Sequence, residues 1–140
     1  MRFLNFDFES PDNTIELRAL GLNWDLHNHP DFAGLQLTPN GSAIFTWIAP
    51  DSQWSDERNH HSGCELRFHT VRSLEIRGPD PESATSEHQT LWLISKLPPG
   101  HPDYGQPTES TGTSFKLGIK FNGGMSIKVD AEEAELQPLE

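Results

Sequence analysis

Between residues 114 and 130 apolar and polar residues alternate along two arms of a chain that reverses at Asn122-Gly123-Gly124. On the first arm Phe115, Leu117, Ile119 and Phe121 alternate with Ser114, Lys116, Gly118 and Lys120. On the second, Met125, Ile127 and Val129 alternate with Ser126, Lys128 and Asp130. A period of two places each set on one side of an extended strand, so the segment predicts a β-hairpin with one wet face.

The same spacing marks Leu4, Phe6 and Phe8, then Ile15 and Leu17, then Leu22, Trp24 and Leu26. The runs at 43–49 and 91–94 are apolar on both faces, which suits strands covered on both sides. In 64–78 the alternation at Leu66 and Phe68 slips phase near Val71 and resumes at Leu74 and Ile76, which predicts a bulge or a turn between two short strands. Sustained helical spacing is missing, and Pro and Gly sit mostly where strands must turn. Residues 130–137 read either as one or two helical turns or as a strand continuation, and 131–140 as an acidic C-terminal tail. The expectation is a single all-β domain over 1–140, a mainly antiparallel sandwich or open barrel of about eight strands with little helix.

Three polar connections, 51–63, 78–89 and 98–113, are long for a compact domain. Two of them carry an aromatic, Trp54 and Tyr104, and an aromatic on a polar loop is a natural anchor for a partner.

Charge narrows the list of partners. With 21 acidic against 10 basic side chains the chain carries a formal charge of −11. Such a field repels phosphate backbones and anionic lipid and attracts basic protein surfaces. The expected partner is therefore a basic protein, with nucleic acid and membrane disfavoured. Three of the four lysines, Lys116, Lys120 and Lys128, lie on the wet face of the terminal hairpin. They read as protection of a sheet edge, or as a stripe that pairs with acid elsewhere. Cys64 is the only cysteine, so no internal disulfide forms. Asp7 and Glu9 interrupt any signal-like run at the start, and the expected location is the cytoplasm.

Little of the chemistry points to catalysis. Cys64 opens an apolar strand and reads as a small hydrophobe, and no nucleophile elbow or phosphate loop is present. In "GLNWDLHNHPD" a continued strand would set Asp25, His27 and His29 on one face, a ligand set for a divalent transition metal. The stretch resembles the opening of the first cupin motif, in which a glycine and five further residues precede His-x-His, here Gly21, His27 and His29. The resemblance implies a jelly-roll barrel and a metal held with a glutamate three or four residues on and a histidine from a second motif. Ala33 and Gly34 occupy the place of that glutamate, and neither His88 nor His101 has the proline and glycine spacing of the second motif.

The leading expectation is a small non-enzymatic interaction protein with no cofactor. In size, acidity and lack of catalytic residues it is similar to bacterial toxin-immunity proteins. The alternative is a cupin-like metal-dependent barrel using His27 and His29. A homodimer through exposed strand edges is a further expectation.

Overall fold

The computed structural model describes residues 1–82, 87, 89–105 and 114–140. His88 and parts of the second and third long connections lie outside the described residues. Eleven strands run through the described chain. They are β1 (Arg2–Phe3), β2 (Phe6–Phe8), β3 (Asn13–Thr14), β4 (Glu16–Ala19), β5 (Leu22–Asp25) and β6 (Asp31–Leu37), followed by β7 (Ala43–Ile48), β8 (Gly63–Arg77), β9 (Leu91–Leu97), β10 (Lys116–Phe121) and β11 (Ser126–Leu139). Three strands lie beyond the expected eight: β1 and β3, two residues each and too short to show periodicity, and β6, whose register shifts between Phe32 and Gly34 and breaks the alternation.

The strands form an all-β sandwich. One sheet has the order β3-β9-β10-β11-β8-β7-β6 with β1 added to β11, and the other the order β2-β4-β5. Neighbours are antiparallel except β1, which runs parallel to β11. β6, β7 and β8 form a meander, the chain crosses over, and β9, β10 and β11 return so that β11 lies against β8, a Greek-key order.

The predicted hairpin is β10 and β11, with Leu117 opposite Val129 and Ile119 opposite Ile127, all four buried. The phase slip near Val71 is a bulge within one long strand. Asp130 pairs with Ser73 and Ala131 with Val71, which leaves Arg72 as the extra residue. Residues 130–137 take the strand path rather than the helical one, and 131–139 are not a free tail. They pair with β8 through to Leu139 opposite Gly63. Burying Ala131, Ala134 and Leu136 against the core outweighs the helical leaning of an Ala- and Glu-rich stretch. Beyond the first residues of β10, the start of the chain covers the edge of β11. The Leu4 N–H donates to the Ala134 carbonyl at 2.9 Å, and the Asn5 side chain exchanges bonds with the Leu136 backbone at 2.8 and 2.7 Å.

One core fills the sandwich. Trp24, Phe45, Trp47, Leu66, Phe68 and Phe121 are fully enclosed. Phe45 meets Phe68 edge-on at 5.2 Å between ring centroids, and Phe32 lies 4.7 Å from Phe121.

Candidate functional site

The alternation expected to carry His27 and His29 on a strand stops at Asp25, where β5 ends. Asp25 itself ends it. Its Oδ1 accepts the backbone N–H groups of His27 and Asn28 at 2.9 and 3.0 Å, an Asx-type turn that diverts the extended path. Its Oδ2 accepts the Asn28 side-chain amide and, at 3.0 Å, the Ser55 hydroxyl. Burial pushes the Asp25 carboxyl up, but the bonds from Asn28, His27 and Ser55 together more than reverse this and hold it below its ordinary range. His27 Nδ1 is hydrogen-bonded to the Leu91 carbonyl, and His29 is exposed. Asp25, His27 and His29 are therefore not set on one strand face: both carboxylate oxygens of Asp25 are taken by the turn and by Ser55, and one nitrogen of His27 is bonded to the Leu91 carbonyl. Among the described residues no group of three His, Cys, Asp or Glu is placed to hold a metal ion.

The loop at 51–63 closes this end of the sandwich. Trp54, 5% exposed, meets Trp24 edge-on at 5.0 Å, and its Nε1 donates to the His61 carbonyl at 2.7 Å. The His61 ring stacks on Trp24 at 5.3 Å. Asp56 accepts the Asn23 N–H at 2.9 Å and the Asn59 amide donates to the Asn23 carbonyl at 3.3 Å, so the loop also caps the edge of β5. Tyr104, 3% exposed, lies under Lys116, whose Nζ sits 4.2 Å from the ring centroid and donates to the Tyr104 carbonyl at 2.9 Å. Trp54 and Tyr104, expected as partner anchors, both fold their rings back onto the sheets, where their apolar area is worth more than at a wet surface. Cys64 is enclosed, and burial pushes its thiol far above the usual range, which suits packing rather than nucleophilic chemistry.

The lysine stripe leads to a more open place. β10 lies between β9 and β11, so its lysines guard no edge. On the outer face of the large sheet, Lys120 pairs with Ser126 and Ser126 with Arg77, forming one row across β10, β11 and β8. The next row is Gly118, Lys128 and Glu75. The segment 98–105 crosses above, held by Tyr104 on Lys116 and by Asp103, whose carboxylate lies 3.5 Å from Lys120 Nζ. Between this strap and the end of β8 lies a groove of about 440 Å³ lined by Arg77, Lys120, Lys128, Glu75 and Asp103, with Leu97 and Pro102 as apolar wall. Gly118 deepens it. A Cβ there would come within 3.1 Å of Leu97 Cδ1 and fill the floor. Lys128 reaches Glu75 at 3.0 Å and holds that carboxyl below its usual range.

Sequence reasoning singled out Lys116, Lys120 and Lys128 but missed Arg77, Glu75 and Ser126. Those three alternate with Leu74, Ile76 and Ile127 as any wet strand face does, and only the β8–β11 register brings them beside the lysines. Comparison of the chain with protein-family models, curated proteins and solved structures finds no match.

Proposed function

We propose that the chain is a small non-catalytic binding module that engages a partner protein through the outer-face groove. The observation that carries this reading is the groove itself, a cleft of ligand size with an apolar wall and charges of both signs held by a rigid sheet. The strap above it is fixed at Tyr104 and Asp103, so the cleft is preformed and little ordering cost falls on the binding step. The charge of −11 supports a partner of net positive charge, drawn in by the field of the whole chain.

The test compares proteins retained by the immobilised wild-type chain with those retained by Arg77→Glu and by the groove-filling Ser126→Trp, after checking that both variants unfold at the wild-type midpoint. A partner held by the wild type and lost with both variants supports the reading. Partners retained equally by all three overturn it.

A further inference from the structure

Most polar groups lining the groove are already engaged. Lys128 meets Glu75 at 3.0 Å and Lys120 meets Asp103 at 3.5 Å, so four of its five charged side chains form two ion pairs. The fifth, Arg77, is exposed and has no hydrogen bond or ion pair of bonding length among the described residues; the nearby Glu75 carboxylate is taken by Lys128. The Ser126 hydroxyl likewise has no hydrogen-bond partner among the described residues. These two groups are direct cross-strand neighbours, and Lys120 stands on the other side of Ser126. At a strand spacing of about 4.8 Å the row from Arg77 to Lys120 spans about 10 Å, with the hydroxyl at its middle and Lys128 in the adjoining row.

We infer that Arg77 and Ser126 form an anion subsite and that it receives a side-chain carboxylate presented by a segment of a basic partner protein. This deepens the reading of the groove as a binding surface and rests on it. The guanidinium fork fits the two oxygens of a carboxylate, and the hydroxyl supplies a further donor. The balance of the lining charges, three cations against two anions, leaves the groove locally positive. The rest of the chain decides the source. A charge of −11 repels a free small anion, whereas a carboxylate carried within a positive segment is brought to the groove by the same field.

The experiment titrates the isotope-labelled chain with the end-blocked tripeptide Lys-Glu-Lys, its Lys-Gln-Lys counterpart and free glutarate, following backbone amide resonances. Lys-Glu-Lys is expected to shift Arg77, Ser126 and Lys120 saturably and to bind about tenfold more tightly than Lys-Gln-Lys, the scale of one charge-assisted contact. Arg77→Ala is expected to abolish the shifts. Equal binding of the glutamine peptide, shifts that survive Arg77→Ala, or no saturable response overturns the subsite. Glutarate binding as tightly as the peptide overturns the assigned source. Partner capture that still depends on an unfilled groove while Lys-Glu-Lys fails to bind removes the subsite alone and leaves the groove reading standing.

Discussion

The turn at Asp25 and the groove around Ser126 are both clusters of polar side chains framed by strands, and they differ in where their hydrogen-bonding groups point. At the turn every oxygen of Asp25 faces an internal donor, and the neighbouring loop inserts Trp54 behind it. At the groove the ion pairs are internal, but a guanidinium and a hydroxyl face outward. Residue types that advertise chemistry, a carboxylate with a histidine two positions on, serve architecture in the first case. In the second, an ordinary arginine and serine have no partner among the described residues. What a side chain is bonded to separates the two better than what it is.

The comparison is broken most directly at the architectural end. Trp54→Ala empties the space against Trp24 and is expected to cost about 3 to 5 kcal/mol, read as a lowered urea midpoint. Asp25→Ala strands the N–H groups of His27 and Asn28 and is expected to cost about 1 to 3 kcal/mol. Acid sharpens that result. The Asp25 carboxyl is depressed in the folded chain, so its contribution is present above the unfolded value of about 3.9 and lost as pH falls through the lower folded value. The advantage of wild type over Asp25→Asn should narrow over that range.

Glu16 gives the opposite sign. It stands directly across from Asp25, and burial, then Asp25, Glu9 and Asp56, raise its carboxyl. The folded chain then binds the proton more tightly than the unfolded one, so stability falls as pH rises through the interval above about 4.3. Glu16→Gln is expected to stabilise the chain at pH 7 by about 0.2 to 1 kcal/mol, with the gain fading below pH ~4 in parallel unfolding curves. The smallest effect belongs to the groove. Arg77→Ala should leave stability within about 0.5 kcal/mol of wild type while removing carboxylate binding.

Local alternation made much of the fold legible. The rungs Leu117–Val129 and Ile119–Ile127 are those the pattern predicts, and the phase slip near Val71 marks the bulge at Arg72. The Asp25 turn was misread because extrapolating a period of two ignores an aspartate that captures the backbone two and three residues on. An Asp followed by Asn28 and Pro30 is the signal that could have shown it. The acidic stretch after Asp130 looks helical alone, and only burial opposite Leu66 and Phe68 decides for strand. The row of Arg77, Ser126 and Lys120 was invisible for a stronger reason. It joins residues about fifty positions apart through a register that no local pattern encodes.

The position of β11 also has a consequence for the order of events during synthesis. This strand, late in the chain, is a central member of the large sheet, flanked by β8 on one side and by β10 and β1 on the other. A chain emerging from the ribosome can assemble the β6–β8 meander early, but β8 then keeps one edge bare until residues 126–139 arrive. Closure of the sheet is therefore slow and non-local, and the waiting edge is where the nascent protein is most exposed to mispairing with its neighbours.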